Sequence, residues 1–103
     1  MFKWFSKKKT KRRKVKPLTG QVYFIRARCE GNPIKIGYSI NPKARIKALQ
    51  TASPVKLRLL KTIPGNRQIE RALHRKFKKY RLRGEWFKGS KELLQYIKEV
   101  KGE

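Results

Sequence analysis

Val22-Tyr23-Phe24-Ile25 and Lys35-Ile36-Gly37-Tyr38-Ser39 lie one short turn apart in this 103-residue chain, and their reading decides the fold. The first belongs to Gln21 to Arg28, where Val, Tyr, Phe and Ile occupy both alternating faces, as in an interior strand covered from two sides. Glu30-Gly31-Asn32-Pro33 has the residue types of a turn, so Ile34 to Gly37 reads as the returning strand of a hairpin. Asn41-Pro42 then supplies an N-cap and a first helical residue, and Arg45, Ile46 and Leu49 at helical spacing carry a helix to about Thr51.

Working outward, Val55 to Ile63 alternates Leu with Lys and Arg, which predicts a third, partly exposed strand closed by Pro64-Gly65-Asn66. From Arg67 to about Lys79, Ile69, Leu73 and Phe77 recur every four residues, the pattern of an amphipathic helix lying on a sheet. Arg81 to Gly84 reads as a loop before Glu85-Trp86-Phe87. Ser90 then caps a last helix through Leu93, Leu94, Ile97 and Val100. The expected architecture is a small α/β (α+β) domain, a three-stranded mainly antiparallel sheet flanked by three helices in the order ββαβαα.

The charge balance is extreme. Thirty Lys and Arg against six acids give a formal charge of +24, the balance of a protein that works on phosphate backbones. Nine of the cations fall in residues 1 to 17 with no acid, including Lys11, Arg12, Arg13 and Lys14, so this segment reads as a self-repelling, disordered arm that follows a phosphate backbone. Residues 18 to 103 form the expected folded domain, itself basic. One cysteine, Cys29, excludes an intramolecular disulfide and a multi-Cys zinc site, which points to an intracellular setting, the cytoplasm, nucleoid or a phage-infected cell. Apolar stretches are short and cut by Lys and Arg, so neither a membrane span nor an export signal is expected.

With these elements in order, the chain resembles the GIY-YIG endonuclease superfamily over most of residues 20 to 97. The likeness is to the branch of phage and mobile-element proteins with VYFI-type and KIG-type half-motifs. The matching elements are the two half-motifs, Asn41-Pro42, Arg45, Leu49-Gln50-Thr51, Glu70, His74 and Gly84-Glu85-Trp86-Phe87. Two positions depart from the wider pattern. Lys35 stands where the second half-motif usually has its tyrosine, and no Asn follows Asn66, whereas the family often carries one late in the chain.

The resemblance implies phosphodiester hydrolysis, which needs an activated water, a cation for the charge at phosphorus and usually a metal as Lewis acid. It implies that Tyr23 deprotonates or orients the water; a free phenol is a weak base at neutral pH, and neighbouring cations favour the phenolate. Lys35 is expected to hydrogen-bond the scissile phosphate or to support Tyr23. Tyr38 ranks behind both as a nucleic-acid contact. Arg45 offers a permanently charged, planar set of donors to phosphate oxygens. Glu70, a rare acid among Arg67, Arg71 and Arg75, invites Mg²⁺ or another divalent cation, which takes few protein ligands. His74, four residues on, shares that side of the helix and either orients water, contacts phosphate or serves in packing.

The expected function is a metal-dependent endonuclease acting on nucleic acid, DNA favoured over RNA. The protein is expected to be a monomer outside membranes, with targeting left to a partner if one exists. A non-catalytic basic nucleic-acid-binding protein on the same fold is the alternative. A basic protein of ribosomes or anionic membranes is a weaker one, resting on Phe2, Trp4 and Phe5 beside the arm.

Overall fold

A computed structural model of the protein describes residues 20–102. The basic arm, and with it Lys11, Arg12, Arg13 and Lys14, lies outside the described residues. Strand β1 (Gly20–Ala27) and strand β2 (Ile34–Ser39) form the expected hairpin, followed by helix α1 (Pro42–Ala52), strand β3 (Leu57–Gly65) and helix α2 (Arg67–Lys76). A 3-10 turn (Lys78–Tyr80) leads into two short strands, β4 (Arg81–Arg83) and β5 (Trp86–Phe87), and helix α3 (Lys91–Glu99) ends the domain.

The expected three-stranded sheet and ββαβαα order are therefore corrected. The sheet has five antiparallel strands in the order β3-β1-β2-β5-β4, and the element order is ββαβαββα. The segment read as a loop, Arg81 to Gly84, is the first arm of a second hairpin. Its turn is made by Gly84 at a φ of 55°, a conformation that favours glycine. Arg81-Leu82-Arg83 is too short and too exposed to display strand periodicity, and Trp86-Phe87 spans only two residues. Both are strands because β5 pairs Phe87 with Ile34 and Trp86 with Lys35, extending the sheet beyond β2.

Register assigns the faces. Directly paired residues in antiparallel strands point to the same side. Val22 with Tyr38 and Phe24 with Ile36 therefore mark one face, and Tyr23 with Gly37 and Ile25 with Lys35 mark the other. On the first face, Val22, Phe24 and Ile36 join Leu73 and Phe77 of the α2 region and Leu93 of α3 in one buried apolar cluster. On the second face Tyr23, Ile25 and Ala27 are also buried, yet α1, which packs against β1 and β2, buries none of its own residues completely.

Helices α1 and α3 begin at the expected caps, and α2 begins at Asn66, read from the sequence only as part of a turn. The side chains of Asn41, Asn66 and Ser90 accept hydrogen bonds from the backbone N–H of Ala44 (3.3 Å), Ile69 (3.0 Å) and Leu93 (3.2 Å). The end of α1 is fastened by Gln50, whose Nε2 donates to the Val55 carbonyl (3.1 Å) and whose Oε1 accepts from Leu57 N–H (2.7 Å). The Leu49-Gln50-Thr51 motif thus locks the helix to the start of β3. Among the described residues no helix is long and apolar enough to cross a membrane.

Candidate functional site

The end of β2, the Ser39–Asn41 connection to α1 and the first turn of α2 enclose an open cleft of about 1100 Å³. Tyr23 enters it from the sheet, Arg45 from α1, Arg67 from α2 and Glu85 from the β4–β5 turn.

Tyr23 owes its position to Gly37. The two face each other across the β1–β2 ladder, and a Cβ on Gly37 would lie 2.7 Å from Tyr23 Cε1 and closer still to Cζ and the hydroxyl oxygen. The ring therefore lies across the bare backbone of the neighbouring strand, which only glycine permits. Tyr38 repeats the arrangement on the opposite face, its ring filling the space where a Gly20 Cβ would stand, 2.7 Å from Cε1. Both tyrosines reach the same cleft from opposite sides of the sheet.

Lys35 stays on the Tyr23 face, and its ammonium is committed elsewhere. Lys35 Nζ lies 3.0 Å from Glu85 Oε1 and 5.6 Å from the centre of the Trp86 ring, with its side chain only 12% exposed. The expected contacts of Lys35, with phosphate or with Tyr23, are thus replaced in this state by an ion pair with Glu85. Trp86 and Phe87 divide between the faces as the register requires: Phe87 is fully buried in the core, and Trp86 lies half-buried beneath Lys35.

Glu70 is buried, its side chain 6% exposed. Oε1 is 3.8 Å from the Arg67 guanidinium, whereas Oε2 is sealed from solvent without a hydrogen-bond partner. Burial, then the nearby Glu85 carboxylate, raises the Glu70 pKa above its ordinary value; His74 and Arg67 pull the other way and do not offset these effects. Two carboxyl groups thus lie close together, Glu85 on the cleft wall and paired with Lys35, and Glu70 buried behind it. The expectation that Glu70 sits amid three arginines is realised only for Arg67. Arg71 and Arg75 are on the exposed side of the helix and form no ion pair among the described residues.

His74 is tied to the sheet. Its Nε2 donates to the Ile36 carbonyl (2.9 Å), since a carbonyl can only accept, and its ring meets Phe87 edge-on at 5.1 Å. It latches α2 to β2 and holds Glu70, one turn earlier, against the sheet. Arg45 is exposed on α1, lines the cleft and forms no ion pair among the described residues.

Arg67 was not singled out by the sequence as a site residue. It lies over the Tyr38 ring, 5.3 Å from the centroid, and faces the cleft one residue after the Asn66 cap. The available signal was positional: the first residue of a capped helix projects toward whatever lies beyond the helix end.

A compact α+β domain with a basic cleft, two tyrosines laid on glycines and a buried carboxylate, Glu70, beside the more exposed Glu85 is the class that fold and site define. The family model described as the T5orf172 domain matches residues 20–101, and the chain belongs to that family. No curated protein and no solved structure matches it significantly.

Proposed function

We propose that the protein is a metal-dependent endonuclease of the GIY-YIG type that hydrolyses phosphodiester bonds in nucleic acid, with DNA favoured over RNA. The observation that carries this reading is the convergence of Tyr23 and Arg45, from a strand and a helix, on one cleft lined by Glu85, with the buried Glu70 close behind that carboxylate. Membership of the T5orf172 domain family supports a nucleic-acid-related role, and the charge of +24 supports a polyanionic substrate.

The donor set fits a hard divalent cation. Glu70 Oε2 is a buried oxygen with no partner, Glu85 brings a second carboxylate close to it, and Mg²⁺ takes a small number of such oxygens while keeping much of its water. Glu70, with Glu85 beside it, would hold the ion. Bound there, Mg²⁺ supplies Lewis-acid stabilisation of the charge that builds up at the phosphoryl group.

The chain's own residues do the rest. Tyr23 positions the attacking water and passes its proton on to solvent as the new oxygen–phosphorus bond forms and the bond from phosphorus to the leaving sugar oxygen breaks, that oxygen taking a proton from water. Arg45 donates to the non-bridging oxygens, where charge grows in the transition state. Lys35, paired with Glu85 at 3.0 Å, fixes the position of that carboxylate. His74 holds α2, and so Glu70, in register with β2 through the Ile36 carbonyl.

The test is to compare Tyr23→Phe, Arg45→Ala and Glu70→Gln with the wild type for cleavage and, in chelator, for DNA binding. Cleavage lost in all three with binding kept supports the assignment; cleavage by Glu70→Gln at the wild-type rate removes Glu70 from the site.

One observation favours a second reading. The Lys35–Glu85 ion pair already neutralises one of the two carboxylates, as expected if the cleft binds nucleic acid without a metal and without chemistry. That reading predicts salt-sensitive binding indifferent to Mg²⁺, and no product.

A further inference from the structure

Beyond the cleft, charge is distributed unevenly over the helices. α3 carries Lys91, Glu92, Lys98 and Glu99 in near balance, and Glu92 is engaged by Lys79 at 3.4 Å and by the Tyr80 hydroxyl at 2.8 Å. α2 is different. Its exposed positions Arg67, Arg71 and Arg75 recur every four residues, so they run along one side of the helix, spanning about 12 Å at a helical rise of about 1.5 Å per residue. Its only acid, Glu70, is turned inward. Arg71 and Arg75 have no acidic partner among the described residues. The row begins in the cleft, because Arg67 is one of its walls.

We propose that Arg67, Arg71 and Arg75 form a phosphate-binding ridge along α2 that guides a nucleic-acid strand into or out of the cleft. This rests on the reading of the cleft as a nucleic-acid site. Complementary charge identifies the occupant: three guanidinium groups in a line, of which Arg67 alone has an acidic partner among the described residues, Glu70 at 3.8 Å, match a line of backbone phosphates and offer nothing that reads bases. Glu70 is turned inward, so no carboxylate stands on the exposed stretch of Arg71 and Arg75. Arg67, stacked on Tyr38, is the held end of the ridge, while Arg71 and Arg75 are its solvent-exposed continuation.

The test uses the full chain and a fluorescently labelled DNA oligonucleotide, with binding followed by anisotropy across a range of salt concentrations in chelator. The double variant Arg71→Gln/Arg75→Gln is compared with Lys91→Gln/Lys98→Gln, which removes the same charge from α3. Loss of two phosphate contacts makes the slope of log affinity against log salt shallower by about 1.4 to 1.8. The ridge predicts that loss for the α2 variant and little change for the α3 variant. An unchanged slope for α2, or equal losses in both variants, overturns it.

Because the measurement needs no catalysis, its outcome separates from the nuclease reading. A shallower slope in a protein that never cleaves keeps the ridge and removes the nuclease. Cleavage with an unmoved slope does the reverse.

Discussion

The two faces of the sheet are covered by opposite means. One is sealed by α2 and α3, with Leu73, Phe77, Leu93 and Ile97 packed on Val22, Phe24 and Ile36. The other is covered by α1, none of whose residues is fully buried, and it keeps Tyr23 in place through the bare backbone of Gly37. The first face holds the domain together by area removed from water. The second trades apolar area for geometry, setting the Tyr23 phenol and the Arg45 guanidinium around open space. Stability and the proposed chemistry should therefore respond to different substitutions.

The largest effect expected is on the sealed face. Phe77→Ala removes a fully buried ring from the centre of the cluster and should cost about 3–5 kcal/mol in urea unfolding. On the open face, Arg45→Ala should reverse that pattern. Its side chain is exposed, so stability should stay within about 0.5 kcal/mol. The single-turnover cleavage rate should fall by about 10²- to 10³-fold. A destabilised Arg45→Ala protein would mean that α1 carries more of the fold than its exposure indicates.

Gly37→Ala joins the two faces. The added methyl must displace the Tyr23 ring, so a loss of about 1–3 kcal/mol should accompany loss of cleavage. Stability lost with cleavage intact would separate the Tyr23 ring from the reaction.

The smallest effect sharpens the comparison through pH. Burial and Glu85 raise the Glu70 pKa in the folded state, so as pH rises above about 4.3 the unfolded chain ionises first and the folded chain loses stability relative to it. Glu70→Gln cannot ionise there and should escape that loss. Measured in chelator, its stability relative to wild type should improve from acid to neutral pH. A constant difference across that range would show that Glu70 is not held at a raised pKa.

Much of this organisation was legible in the sequence, and what was not has physical causes. The β1–β2 hairpin and all three helices were legible because strand composition, the Asn41 and Ser90 caps and apolar spacing act locally; that Asn66 caps α2 was not read. The β4–β5 hairpin was hidden because its strands exist through pairing with Ile34 and Lys35, distant in sequence. At the site, Tyr23, Arg45 and Tyr38, each singled out in the sequence, line one cleft. His74 was left between a site role and packing because its partner is a main-chain carbonyl on β2, which no residue type advertises. Glu70 was placed among arginines because sequence neighbours are visible and helical direction is not: the arginines turn out and the carboxylate turns in. Arg67 escaped for the same reason.

The most direct measurement of the central claim is nicking of supercoiled plasmid by the wild-type protein, with Mg²⁺ and with chelator, beside Glu70→Gln. The account predicts metal-dependent nicking by the wild type and none by the variant, with both proteins binding the plasmid. Binding without nicking by the wild type under either condition would contradict it and leave the cleft as a nucleic-acid-binding surface.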